Sequence, residues 1–185
     1  MKKTVVTLGL LIALLVVGFS AEGATKSKSS KKAPAKVVRA EAVISPTQGN
    51  EASGIIMFTQ EKSGVRIVAV VQGLTEGIHG FHVHENGDCS APDGMSAGGH
   101  FNPAGKPHGG PKDQERHVGD LGNLRANVYG KTYYEEVDPM ITLEGPGSII
   151  GRAIVIHADP DDLKTQPGGG SGARVGCGVI SLVNK

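Results

Sequence analysis

Residues 77–103 read GIHGFHVHENGDCSAPDGMSAGGHFNP, and three features stand close together in this segment: a His-x-His pair, a cysteine and a further histidine. In a β-strand, side chains two residues apart point to the same face of the sheet. His82 and His84 therefore project side by side, where both imidazoles can hold one metal ion.

Apolar residues alternate with this histidine pair. Phe81 and Val83 have the opposite parity and face the other side of the strand, which suits a buried core. His79 shares the parity of these apolar residues, so we expect it on the core side rather than among the metal ligands. The segment thus predicts a strand with one hydrophobic face and one metal-binding face.

Further potential ligands follow along the chain at spacings typical of metal sites. Three histidines and an aspartate lie in or just after a loop rich in glycine and proline, and a last histidine ends the apolar run IIGRAIVIH: His100, His108, His117, Asp120 and His157. With the pair on the strand they make seven ligands. Two complete four-coordinate sites therefore require one shared ligand, and an imidazole can bridge two ions because it has two ring nitrogens.

The composition predicts one all-β domain with short appendages. The chain has 185 residues with 28 glycines and 10 prolines, and few runs with helical periodicity. Two connections, 86–122 and 158–176, are too long for simple turns and are typical of functional loops. Eight short segments indicate strands of a β-sandwich or flattened barrel: 37–44, 54–60, 65–72, 80–85, 123–128, 131–137, 148–157 and 177–182.

The N-terminal residues are predicted to lie outside this domain. Residues 1–23 combine two lysines, an apolar run and small residues, which is typical of a signal peptide cleaved after Ser20 or Gly23. An uncleaved membrane anchor is the alternative. Residues 24–36 hold five lysines and predict a disordered linker. Residues 37–185 then form the domain, whose 12 basic and 17 acidic residues argue against nucleic-acid binding.

Six motifs together resemble the copper/zinc superoxide dismutase family: GFHVHE, GGHFNP, HGGPKD, ERHVGDLGN, VIHADPDDL and ARVGCGVI. They occur in order at compatible spacings and span the chain from about Ala40 to its C-terminus. The resemblance implies an eight-stranded Greek-key β-sandwich or flattened barrel with two long functional loops. It also implies an oxidoreductase that uses copper and zinc as cofactors and superoxide as its substrate.

The resemblance divides the ligands between two metals. It assigns four imidazoles to copper, a set that suits Cu²⁺: His82, His84, His100 and His157. It assigns three imidazoles and a carboxylate to zinc, a set that suits a closed tetrahedral site: His100, His108, His117 and Asp120. His100 bridges the two metals and takes part in catalysis.

Other residues receive supporting roles from the same resemblance. Asp161 is expected to link the His82 imidazole to the His108 imidazole and to fix their orientation. His79 is expected to support the copper ligands by hydrogen bonding. Arg174 is expected to flank the copper and attract the anionic substrate, because a guanidinium is permanently charged and presents fixed donors.

Cys89 and Cys177 are the two cysteines of the chain. An exported protein meets an oxidising compartment, and two cysteines allow one pairing, so a disulfide is predicted. Two free buried thiols are the alternative.

One departure from the family pattern concerns the loop before Arg174, which is several residues shorter than in the animal enzymes and lacks their acidic cluster. Steering charges other than Arg174 are therefore left unassigned, although Lys164 is a candidate.

These observations predict an exported superoxide dismutase, periplasmic or extracellular, whose mature chain does not insert stably into a membrane. An exported copper and zinc carrier without turnover is the competing interpretation. A structural zinc domain is the third, but it leaves His82, His84 and His157 unexplained. The oligomeric state stays open between a monomer and a homodimer.

Overall fold

The computed structural model describes Met1 and residues 38–183. Nearly all of the predicted signal segment and the whole linker therefore lie outside the described residues. Within them the chain forms a 3-10 turn at Met95–Ala97 and nine strands: β1 (Arg39–Pro46), β2 (Ser53–Glu61), β3 (Gly64–Gln72), β4 (Gly77–His84), β5 (Asp120–Ala126), β6 (Thr132–Asp138), β7 (Ala153–His157), β8 (Arg174–Val179) and β9 (Ser181–Leu182). None of the helices in this part of the chain is long and apolar enough to cross a membrane.

Eight strands follow one antiparallel path in the order β5-β4-β7-β8-β1-β2-β3-β6, and the short β9 pairs with β1. The two end strands, β5 and β6, are joined by a tight turn in which the N–H of Asn127 donates to the carbonyl of Lys131 at 2.9 Å. The sheet is therefore a nearly closed barrel. The predicted all-β Greek-key fold with two long loops is confirmed.

Alternation along the strands builds the core. In β3, four apolar residues with the same parity are fully buried: Val65, Ile67, Ala69 and Val71. In β4, Phe81 and Val83 point into the same core, while His82 and His84 are equally buried on the other face. Both faces of β4 are covered because the two long loops fold over its outer side.

Four strands begin at least three residues away from their predicted starts, and one of them is β5, which begins at Asp120 rather than at residue 123. β4 begins at Gly77 rather than at residue 80. The sequence predicts one strand over 148–157, but β7 starts only at Ala153, because Gly151 has a φ of 77° and the chain turns there. The last strand begins at Arg174 and is interrupted at Ile180, whose N–H donates to the carbonyl of Arg152 at 2.8 Å.

Candidate metal centre

The loop 85–119 is attached to β4 at the point where the two histidines of the pair lie. Val83 exchanges backbone hydrogen bonds with Gly119 and Phe101, its N–H donating at 2.9 Å and its carbonyl accepting at 2.8 Å. His84 and His100 consequently face each other as a β-bridge. The loop therefore returns its histidines to the outer face of the strand.

The seven predicted ligands form two groups that share one member. In each group, one potential ligand atom per residue lies within 4.8 Å of all the others. We call the first the four-histidine group, which contains His82, His84, His100 and His157. We call the second the histidine–aspartate group, which contains His100, His108, His117 and Asp120. The shared member is His100.

Hydrogen bonds to the ring nitrogens leave one nitrogen free on most of these imidazoles. His84 Nδ1 donates to the carbonyl of Gly98 at 2.9 Å. This leaves His84 Nε2 3.4 Å from His157 Nε2. His100 Nδ1 lies 2.8 Å from Asp120 Oδ1, so its Nε2 remains for the four-histidine group. The lone pairs thus converge on two points, one on each side of His100.

Two buried nitrogens test whether metals fit these groups. His82 Nδ1 and His108 Nδ1 are buried without a hydrogen-bond partner. His108 Nδ1 does lie 3.0 Å from Asp120 Oδ1, which is an ion-pair contact and not a hydrogen bond. Buried polar atoms in proteins are almost always paired, and a bound cation would satisfy both. Four imidazoles suit copper, and three imidazoles with a carboxylate suit zinc, so the residues present fit both metals.

Asp161 connects the two groups through their other ring nitrogens. Its Oδ2 accepts from His82 Nε2 at 2.7 Å and its Oδ1 accepts from His108 Nε2 at 2.9 Å. Its own backbone is held by Asn123, which exchanges two hydrogen bonds with it at 2.8 and 2.9 Å. Both imidazoles therefore donate from Nε2, which turns the Nδ1 atom of each ring toward its metal group.

The loop 158–173 packs closely around this carboxylate. Gly169 has a φ of 69°, and a Cβ at this position would lie 1.9 Å from Asp161 Oδ1. Leu163 is the one non-glycine residue with a positive φ, 64°, in the part of the chain that the structure describes. Its N–H donates to Asp161 Oδ1 at 2.7 Å. The strained backbone of Leu163 therefore helps to hold the Asp161 carboxylate in place.

Burial keeps three imidazoles of the four-histidine group neutral. It lowers the pKa of His82 to about 4 and that of His157 to about 3. It also holds the pKa of His84 well below its usual value. In each case desolvation of the charged imidazolium is the main cause. These imidazoles carry lone pairs at neutral pH and can bind a metal without first losing a proton.

Carboxylates have the largest influence on the pKa values of the histidine–aspartate group. Burial opposes the charged form of His108, but the nearby carboxylates of Asp120 and Asp161 outweigh it and raise its pKa to about 9. Burial likewise opposes ionisation of the two aspartates, yet their hydrogen bonds with histidines hold both pKa values far below the usual range. The histidine–aspartate group therefore contains ionised carboxylates, and their negative charge favours the binding of a divalent cation.

His79 lies outside both groups. It is buried on β4, and its Nδ1 lies 2.9 Å from the carbonyl of His157. Its Nε2 lies 3.0 Å from the carbonyl of Thr75. The ring therefore fastens the end of β7 to the segment before β4, which places the His157 imidazole next to His84.

Arg174 lines an open groove together with His84, His100 and His157. Its guanidinium is half-buried and donates to the carbonyl of Gly94 at 2.7 Å and to that of Gly98 at 2.6 Å. The two glycines flank the 3-10 turn at Met95–Ala97. Burial lowers the pKa of Arg174, but an arginine stays charged. One fixed positive charge thus borders the groove beside the imidazoles.

The predicted disulfide is present. Cys89 and Cys177 are bonded, with their Cα atoms 5.8 Å apart. The bond joins the first part of the loop 85–119 to β8, which also carries Arg174. The alternative of two free thiols is wrong.

Two residues of the site carried no recognisable signal in the sequence. Gln166 holds the backbone of His108, because its Oε1 accepts from the N–H at 2.8 Å and its Nε2 donates to the carbonyl at 2.9 Å. Arg116 is fully buried, bonds Asp138 at 2.6 Å and donates to the carbonyls of His117 and Asp120 at 3.1 and 3.0 Å. Gln166 meets His108 across 58 residues and Arg116 meets Asp138 across 22, separations that a local pattern does not reveal.

The comparison with known families agrees with this geometry. Residues 52–180 match the family described as copper/zinc superoxide dismutase (SODC). The match covers well over half of the chain and includes all seven potential ligands. The chain is therefore a metalloenzyme of the oxidoreductase class. It belongs to the copper/zinc superoxide dismutase family, whose cofactors are copper and zinc.

Proposed function

We propose that this protein disproportionates superoxide to dioxygen and hydrogen peroxide with copper in the four-histidine group and zinc in the histidine–aspartate group. The observation that carries the proposal is His100, which belongs to both groups. Copper, when bound, supplies a centre that accepts an electron from one superoxide and returns an electron to another. The residues of the chain supply the binding, orientation and proton handling described next.

His100 is assigned the proton step. Its Nδ1 faces Asp120 and His117, at 2.8 and 3.5 Å, on the zinc side. Its Nε2 faces the open groove, and a Cβ at Gly168 would lie 3.2 Å from this atom. Glycine therefore keeps the approach to Nε2 open. We assign Nε2 as the atom that holds a proton between the two half-reactions and passes it to the reduced substrate.

Arg174 is assigned the capture of substrate. Superoxide carries one negative charge, and a positive charge beside the open groove raises the local concentration of anions there. The two carbonyl contacts fix the guanidinium on the side of the groove. The remaining N–H donors are left for a small oxyanion. Asp161 orients His82 and His108 and takes no proton itself, because its pKa is held far below its usual range by the bonds it accepts.

Export is also part of the proposal. The Cys89–Cys177 bond is compatible with an oxidising compartment, such as a periplasm or the exterior of a cell. The apolar run and small residues of segment 1–23 are the features of a cleavable signal peptide. We propose that residues 37–185 function as the mature domain after the linker 24–36.

The proposal is tested by the salt dependence of superoxide decay in stopped-flow measurements. Arg174→Ala should keep the copper and zinc content but lower the second-order rate by about tenfold at low ionic strength. Arg174→Glu should lower it further, and both variants should lose most of the fall in rate that salt causes in the wild type. Arg66→Glu, on the opposite sheet, changes the net charge equally and is the matched control.

Two results would count against the proposal. A metal-loaded wild type that does not accelerate superoxide decay would favour a carrier without turnover. A fully loaded Arg174→Glu variant with the wild-type rate at low salt would show that this arginine does not capture substrate.

A further inference from the structure

The groove that contains Arg174 also contains one acidic side chain, Asp93. In the part of the chain that the structure describes, the residues lining the groove include no lysine or glutamate and no second arginine or aspartate. The other lining residues are histidines and uncharged residues. Apart from the imidazoles, the charges of the groove therefore sum to zero, although its substrate under the proposed function is an anion.

Contacts of the neighbouring residues hold Asp93 in place on both sides. The carbonyl of Pro92 accepts from the N–H of Gln48 at 2.7 Å. The carbonyl of Gly94 accepts from the Arg174 guanidinium at 2.7 Å. Since Asp93 is itself exposed and lines the groove, its carboxylate lies at the rim, where the groove meets water.

The charges of Asp93 and Arg174 are close enough to influence each other. Burial lowers the pKa of Arg174, and the attraction of Asp93 opposes that lowering. The guanidinium nevertheless donates to the carbonyls of Gly94 and Gly98 and not to the Asp93 carboxylate. Both charges therefore act on an approaching anion, which Arg174 attracts and Asp93 repels.

Repulsion by a carboxylate depends on the charge of the anion that approaches it. Coulomb energy is proportional to each of the two charges, so a dianion at the rim loses twice as much energy to Asp93 as a monoanion does. A given factor in the affinity for a monoanion is therefore squared for a dianion. Superoxide is a monoanion, whereas inorganic phosphate at about pH 8 is mainly a dianion. An acidic side chain at this position thus discriminates between the two.

We propose that Asp93 is a specificity-determining residue of the groove, which lets monoanions reach Arg174 and disfavours dianions such as phosphate. The proposal rests on the proposed function for the identity of the substrate, superoxide. Asp93 acts through its charge alone, because its Oδ1 accepts from the N–H of Met95 at 3.0 Å and its side chain belongs to neither metal group.

Binding of azide and phosphate to the protein loaded with copper and zinc tests the proposal at equilibrium. Asp93→Asn removes the charge but keeps an oxygen that can accept from the N–H of Met95. At low ionic strength the variant should bind azide about threefold and phosphate about ninefold more tightly than the wild type. Visible absorption of copper measures the affinity for azide, and the broadening of the phosphorus NMR signal by Cu²⁺ measures the affinity for phosphate.

Asp88→Asn is the matched control for the change in net charge. Asp88 lies in the same loop, is exposed, and its Oδ1 accepts from the N–H of Ser90 at 2.8 Å in the same kind of turn. It does not line the groove. This variant should bind both anions with the wild-type affinities.

Stopped-flow measurements of superoxide decay separate a role in charge from a role in folding. Asp93→Asn should raise the second-order rate about threefold at low ionic strength and make its fall with added salt steeper. A loop that is only loosened by the substitution would give a lower rate and no steeper fall.

Two results would overturn the role of Asp93. An equal gain in affinity for azide and phosphate in Asp93→Asn would show that the carboxylate does not select by charge. Wild-type affinities for both anions would show that it has no influence on the groove. Failure of the proposed function is distinguishable, because the anion equilibria do not require turnover. A metal-loaded wild type that leaves superoxide decay unchanged, together with the expected affinities, would refute the dismutase proposal and support the role of Asp93.

Discussion

Asp161 lies between the two metal groups, so removing its charge should affect them unequally. In Asp161→Asn the amide keeps one oxygen and replaces the other with an NH₂ group. Asp161 Oδ1 accepts from both His108 Nε2 and the N–H of Leu163, whereas Oδ2 accepts only from His82. The amide oxygen should therefore take the Oδ1 position, which leaves the NH₂ facing His82.

His82 must then change its tautomer, because two donors cannot bond each other. Its Nε2 would accept from the amide and its Nδ1 would carry the proton, so the lone pair meant for the metal is lost. Partners of metal-bound histidines typically contribute 10–100-fold to metal affinity. We expect copper affinity to fall by about that factor, and zinc affinity to fall less because His108 keeps its acceptor.

Competitive titration against chelators of known affinity measures both constants on one protein. Asp159→Asn is the matched control, since Asp159 is an exposed carboxylate in the same loop. Wild-type affinity for both metals in Asp161→Asn would refute the orienting role. A larger loss of zinc than of copper would refute the assignment of the amide oxygen.

Two further predictions concern the zinc side. Gln166→Leu removes both hydrogen bonds to the His108 backbone, each of which contributes roughly 0.5–1.5 kcal/mol. Zinc release to a chelator should therefore be about tenfold faster, while copper is retained. An unchanged rate of zinc release would show that these two bonds do not hold the zinc ligand in place. Before a metal binds, the pKa of His108 is raised to about 9, so zinc uptake at pH 7.5 should release its proton and uptake above pH 10 should not. Copper uptake should release no proton from His82 or His157, whose pKa values are about 4 and 3. Calorimetry in buffers of different ionisation enthalpy measures the number of protons released with each metal. Equal proton release for both metals would contradict the charge assignment.

The fold and the two metal groups were within reach of sequence reasoning because the informative signals are local. The parity of His82 and His84 in one strand requires only strand geometry, and the count of seven ligands predicts a shared one. The division of the ligands between the two groups came from the resemblance to the family. The start of β7 was missed because an apolar run does not reveal the left-handed turn at Gly151.

Contacts between the two loops could not be predicted. Gln166 meets His108 across 58 residues, and its side chain is that of an ordinary loop glutamine. Arg116 is read as a surface cation by composition, yet it is 1% exposed, because Asp138 and backbone carbonyls replace its water. Such partners depend on how separate segments fold against each other.

The shared imidazole is the central claim, and metal content tests it most directly. His100→Ala should lower both copper and zinc in the purified protein, because His100 belongs to both groups. His157→Ala should lower copper and spare zinc, because His157 belongs to one group only. Elemental analysis after loading with both metals decides between the outcomes. Equal zinc content in the two variants would contradict the sharing of His100.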